Sequence, residues 1–239
     1  MKKYQLPQDD LANICTMPMR DQRPMLERKR SFVPPHSLNP VRNEILALHG
    51  VRLTLFPDAT VEDAAAIKAF LASMRREQDK LPNKLRAEAI VEFRRTFIQS
   101  AIEYPFRAHR ITIDNSVSLT HSLAVESGGK GYIPYYDLRK SGKLTERARD
   151  FVFSMNFHLI VDALAEFREF GLIVLNYWEE SAYVKGLTPY FFTGRPRYSY
   201  EELTDMIART HELWVEVQEE RHHREASRDA GPLFRQGRP

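Results

Sequence analysis

"ITIDNSVSLTHSLAVESGGKGYIPYYDL", residues 111–138, is the stretch on which the fold turns. From Ile111 to Val125 the odd positions read Ile, Ile, Asn, Val, Leu, His, Leu, Val, and the even ones are mostly Thr, Asp and Ser. A period of two puts alternate side chains on opposite faces of an extended chain, so this run is half-buried β structure. It is longer than a usual strand, and Asp114-Asn115-Ser116 offers turn residues that divide it in two. Gly128-Gly129 suits a hairpin turn, and the tyrosine-rich run after it reads as the returning strand.

Helical signals surround this core. Asn39 as cap, Pro40 at the first helical position and Gly50 at a left-handed exit frame a helix, after which "VRLTLF" (51–56) alternates like a strand. Thr60 with Asp63 opens another helix, with Ile67, Leu71 and Met74 on one face. After Pro82, a stripe of Leu85, Ala89, Phe93, Phe97, Ala101 and Tyr104 predicts a long helix ended by Pro105. Thr145 opens a third long helix that runs to Gly171, with Phe153, Phe157, Ile160, Leu164 and Phe167 toward the core. "LIVLNYW" (172–178) reads as a buried strand and "LTPYFFTGRPRY" as strand or loop. Ser199 with Glu202 forms a capping box for the last helix.

The expected fold is α+β: one domain over 39–220, with a small antiparallel or mixed sheet around 110–138 packed by about four helices. Residues 1–38, with Pro7, Pro18, Pro24, Pro34 and Pro35, read as a basic N-terminal arm holding a short helix near Asp10–Met17. Residues 221–239 read as a basic C-terminal tail. The charge is segregated accordingly. Residues 1–50 carry 8 basic and 5 acidic side chains, residues 51–220 carry 22 and 25, and residues 221–239 carry 5 and 2. Basic arms are suited to phosphate backbones, whose counterions they release.

No apolar run approaches the roughly 18–20 residues of a membrane-spanning helix, and no apolar segment follows Lys2-Lys3 as in a signal peptide. Cys15 is the single cysteine, so neither an internal disulfide nor a multi-cysteine zinc site is available. A cytoplasmic protein without a membrane partner is expected. The chain has no G-x-S-x-G and no G-x-G-x-x-G, and no cofactor is implied. "SGGKG" fails as a phosphate loop. Its first glycine position is Ala124, its hydroxyl position is Gly131, and a strand rather than a helix follows. "HELWV" (211–215) fails as a zinc-protease motif because Val215 stands at the second histidine position.

Two candidate sites follow from residue chemistry. Tyr132 and Tyr136 share one strand face near Lys130, Arg139, Lys140 and Lys143, and "TGRPRYSY" adds Arg195 and Arg197. Aromatic faces flanked by cations bind single strands at ~1–3 kcal/mol per stacked base, although "KGY" at 130–132 departs from the RNA-recognition signature after its third residue. An edge strand with structural tyrosines and guarding lysines is the plainer reading of the same residues. His158, Asp162 and Glu166 follow at i, i+4 and i+8, one face of a regular helix, where Asp162 could orient His158 as a base or all three could hold a metal. A plain surface pair is the simpler account, and no metal site is assigned. The sequence therefore favours a non-enzymatic binding protein whose partner is DNA or RNA, or another protein chain in a larger assembly. A small hydrolase or metal-dependent enzyme built on His158 and Asp162 is the alternative.

Overall fold

The computed structural model describes residues 6–29, 37–51, 63–111 and 116–229. In chain order they form α1 (Gln8–Cys15), α2 (Met19–Lys29), α3 (Asn39–Asn43), α4 (Ile45–Leu48), α5 (Asp63–Ser73) and α6 (Glu77–Phe97). Then come β1 (Ser100–Glu103), β2 (His109–Arg110), β3 (Ser116–Val117), β4 (Leu123–Ser127) and β5 (Lys130–Asp137). The chain continues with α7 (Glu146–Asn156), a π-helical turn (Phe157–Val161), a 3-10 turn (Ala165–Phe167), β6 (Gly171–Glu179), β7 (Lys185–Phe191) and α8 (Tyr200–Asp229). Residues 52–56 of the strand expected at 51–56, Thr60, Asp114 and Asn115 lie outside the described residues, and Ser116, expected in the same turn, is instead the first residue of β3, paired with Arg110.

The main sheet has the order β1-β4-β5-β6-β7, and β2 with β3 makes a separate ribbon. Only β5 and β6 are parallel, and α7 is the crossover that parallel pairing requires. Alternation along the strands sends side chains to two helical layers. Ile133, Tyr135, Leu172 and Val174 pack with Leu11 and Ile14 of α1, Leu26 of α2, Phe151 and Met155 of α7, and Leu203 and Ile207 of α8. Tyr136, Ile173 and Leu175 pack with Val41, Ile45 and Leu48 of α3 and α4, Phe70 of α5, and Ala87 and Ile90 of α6. The architecture is α+β, with a mixed sheet held between helices.

Several local expectations are met at their own residues. Ser127 pairs with Lys130 across Gly128 and Gly129, whose φ values of 58° and 74° are the left-handed pair that a tight hairpin needs. The Thr145 side chain accepts from the Ala148 amide at 3.2 Å. Ser199 and Glu202 bond reciprocally, at 2.8 Å from the Ser199 amide and 3.1 Å from the Glu202 amide.

Four stretches depart from the sequence pattern. The stripe expected to run helically to Tyr104 stops at Phe97, and Ile98 is already extended. Residues 100–103 pair instead with 123–126, because sheet pairing outweighs a helical preference that is weak at a helix end. The helix expected to reach Gly171 is regular only to Asn156, after which the π-helical and 3-10 turns take over. The stretch 1–38 carries α1 and α2 on the body itself. Leu11 and Ile14 are 2% and 1% exposed, each burial contributing on the order of 2 kcal/mol. At the other end α8 continues as helix past residue 220 to Asp229.

Candidate protein interface

The residues picked out from the sequence do not meet on one surface. Lys130 and Asp137 terminate β5, so the Lys130–Tyr132 pair and the Arg139–Lys143 group are separated by about 23 Å of strand. Tyr136, expected as a second stacking face, is fully buried, and its hydroxyl lies 2.6 Å from His49 Nε2. His49 Nδ1 is 3.0 Å from the Ile45 carbonyl, which can only accept. Nδ1 therefore carries the proton, and Nε2 accepts from Tyr136. Burial drives the His49 pKa down to about 4 and that of the Tyr136 phenol well up, so both groups stay neutral.

The remaining basic residues of that expectation are committed to carboxylates or lie elsewhere. Arg139 forks onto Asp137 at 2.8 and 3.1 Å and reaches Asp10 at 3.4 Å. Lys140 meets Glu179 at 3.0 Å, and the Lys143 carbonyl accepts from the Asn13 amide at 3.2 Å. Arg197 binds Asp150 at 2.9 Å on the α7 side of the sheet, and Arg195 is exposed in the same loop. Arg139 is part of a buried ionic knot between the two helical layers. Asp9 of α1 accepts from Arg42 of α3 and from the Tyr135 hydroxyl, and Lys29 meets Asp10 at 2.7 Å. Burial opposes the Asp9 charge, but Arg42, Arg139 and Tyr135 together outweigh it and hold that carboxyl below its ordinary range.

The alternative catalytic line is also dispersed. His158 Nε2 is 2.9 Å from the Tyr198 carbonyl, Glu166 accepts from the Tyr104 hydroxyl at 2.8 Å, and Asp162 is exposed. The π-helical turn adds a residue to the helical repeat, so positions i, i+4 and i+8 no longer share a face. Among the described residues no group of three or more His, Cys, Asp or Glu side chains is placed to hold a metal ion. Cys15 is buried, and that burial pushes its thiol pKa up to about 12, far from nucleophilic use.

What the fold does assemble is an aromatic edge that sequence spacing could not reveal. Phe97 at the end of α6, Tyr132 of β5 and Phe191 of β7 form a triangle of rings. The centroid separations are 6.0 Å for Phe97–Tyr132, 5.9 Å for Phe97–Phe191 and 5.7 Å for Tyr132–Phe191. Phe93 stacks on Phe97 at 4.9 Å, and the Lys130 ammonium sits 5.6 Å from the Tyr132 ring centre. Phe191 remains 42% exposed. From there β7 runs along α6 to the hairpin tip, where Tyr183 is 94% and Val184 46% exposed. Beside the tip, α5, α6 and the hairpin bound a cleft of about 660 Å³, lined by Ile67, Leu71, Val91, Tyr183 and the Glu88–Lys185 ion pair, which spans 2.8 Å. Such a strip offers apolar contact area with charges at its margin, the composition of a protein contact surface.

Comparison with known proteins places the chain. The DNA replication inhibitor toxin SocB of Caulobacter vibrioides (strain NA1000 / CB15N) is 24% identical over 223 residues, which are 92% of this chain and 93% of the relative. No solved structure matches. The model of the family described as SocB, the sliding clamp-binding bacterial toxin, matches residues 9–224, from α1 through most of α8, and the chain belongs to that family.

Proposed function

We propose that this protein arrests DNA replication in the cytosol by binding the sliding clamp, as a stoichiometric partner and without catalysing a reaction. The observation that carries this reading is the reach of the family match, residues 9–224, which takes in the sheet and both helical layers rather than a detachable motif. The site chemistry agrees with binding. His158, Asp162 and Glu166 go to three separate environments, and Arg139, Lys140 and Arg197 are spent on neighbouring carboxylates rather than held out for phosphates. Of the partners the sequence admits, the reading takes a protein over DNA or RNA.

The test is titration of the full chain into the purified sliding clamp, followed by calorimetry, with clamp-dependent primer extension alongside. Saturable binding, and inhibition relieved by excess clamp, is the expected result. An absence of clamp binding, with salt-sensitive binding to oligonucleotides in its place, would overturn the proposal and restore the nucleic-acid reading.

A further inference from the structure

We propose that the cleft between α5, α6 and the β6–β7 hairpin is a docking groove for an acidic amphipathic helix of a protein partner. This second binding surface goes beyond the sliding-clamp reading above and does not depend on it. The shape of the groove, its apolar wall and its charge lead there.

The groove follows one helix. Lys84, Glu88, Val91, Glu92 and Arg95 recur at spacings of three and four residues, which puts them on a single face of α6 as the floor of the cleft. From Lys84 to Arg95 that floor runs about 16 Å at the rise of an α-helix. Ala64, Ile67, Lys68 and Leu71 of α5, again at helical spacing, form a wall, and Tyr183 with Lys185 of the hairpin bounds the space. A cleft drawn out along α6 has the form that seats a helix of about three turns.

The wall is short of polar groups. Between Asp63 and Ser73 the one charged residue of α5 is Lys68, yet of its eleven residues only Phe70 is buried. A helix without a polar face belongs where something covers it. Ile67 and Leu71 pack against the α3–α6 layer and remain half-buried where they line the cleft. Tyr183 stands 94% in solvent beside them. The apolar anchors of an incoming helix, at i, i+3, i+4 and i+7, are matched by such side chains.

Charge gives the partner its sign. Arg94 and Arg95 share Asp63, and Lys84 and Lys185 share Glu88 at 3.7 and 2.8 Å. Among the described residues Lys68 has no carboxylate partner and Glu92 no cation. Five cations therefore stand against three carboxylates, and both paired carboxylates are divided between two cations. Carboxylates on the flanks of an incoming helix match that excess, and a basic helix is repelled by it.

Other occupants fit less well. A phosphate backbone calls for a row of cations, whereas Glu88 and Glu92 sit in the floor and would face its charges. A second copy of this chain entering through its own α5 would bring Lys68 against Lys68 and supply no acid to the groove.

The probe is a synthetic, hydrocarbon-stapled helical peptide of about twelve residues, with leucines at i, i+3, i+4 and i+7 and glutamates on the flanks. Labelled peptide is titrated with the full chain and followed by fluorescence anisotropy, beside a copy carrying lysine for every glutamate. Saturable binding of the acidic peptide, about tenfold or more tighter than its lysine copy, is the expected result. Lys68→Glu should weaken it about tenfold, and Tyr183→Ala about fivefold. Both side chains are exposed, so neither change disturbs the core, and thermal midpoints recorded alongside check this. Met19→Ala, an exposed site on α2, should leave affinity unchanged. No saturable binding, equal binding of the two peptides, or wild-type affinity in both groove variants would overturn the inference. Displacement of the peptide by an oligonucleotide would reassign the groove to nucleic acid, and its exclusion by self-association of the chain would reassign it to a second copy. Failure of the chain to bind the sliding clamp in a parallel titration sinks the functional proposal and leaves this one standing.

Discussion

The Tyr132 ring occupies the space that a Cβ on Gly171 would need: such an atom would lie 2.7 Å from Tyr132 Cδ1. The relation is reciprocal along the parallel pair, because a Cβ on Gly131 would run into the Phe170 ring. Each glycine is a seat for an aromatic ring, Tyr132 of β5 in one case and Phe170, just before β6, in the other. Gly171→Ala should therefore push Tyr132 out of its triangle. We expect a loss of ~1–3 kcal/mol in urea unfolding. Gly129→Ala meets no atom within 4 Å, and its cost is only the strain of φ at 74°. It should lower stability by about 1–2 kcal/mol and leave clamp affinity alone.

Stability should fall on mild acidification. His49 and His121 are both buried and held neutral, with pKa values near 4 against an ordinary 6.5. Above pH 6.5 they are neutral folded or unfolded, and their full contribution is present. Between pH 6.5 and 4 the unfolded chain takes up protons that the folded chain refuses, so stability drops as pH falls. Below pH 4 these two groups add no further loss. For His49 alone the loss from pH 7 to pH 5 is about 2 kcal/mol. Asp9, whose carboxyl is held below 3.8, contributes in the same direction only at still lower pH. Urea midpoints at pH 7.5, 6 and 5 should decline in order, and His49→Gln should make that decline shallower.

Asp9 is the residue whose removal leaves the most charge stranded. Without it, Arg42, Arg139 and the Tyr135 hydroxyl lose a shared, buried acceptor. Asp9→Ala should cost ~3–5 kcal/mol, as removal of one partner from a buried ionic group does. Asp9→Asn should cost less, because it still accepts a hydrogen bond. Denaturant unfolding of the two variants side by side checks the ordering.

His158→Gln separates binding from hydrolysis. A glutamine amide can still donate toward the Tyr198 carbonyl, so the bond at 2.9 Å has a substitute. Replication inhibition by this variant should equal that of the wild type within a factor of about two, with a stability change under ~1 kcal/mol. Loss of inhibition in a variant that keeps its clamp affinity would revive a chemical role for His158.

The sequence by itself determined the elements whose cause lies within a few residues. Gly128-Gly129 can make a tight turn whatever surrounds it. Thr145 and the Ser199–Glu202 pair cap their helices through bonds of three residues' reach. The alternation is legible as strand at 116–117 and 123–125, whereas 118–122 between them is irregular. The tertiary structure decided what depends on partners distant in the chain. Residues 100–103 became strand because β4 was there to pair with them. His158, Asp162 and Glu166 parted because a π-helical turn changed the helical repeat between them. Asp9, polar enough to read as solvated, went into the core because Arg42 and Arg139 arrive there to neutralise it. The aromatic edge draws on residues 97, 132 and 191, too far apart in the chain for any periodicity to link them. Local free energies are legible along a sequence, whereas burial and charge pairing between distant residues exist only once the chain has closed on itself.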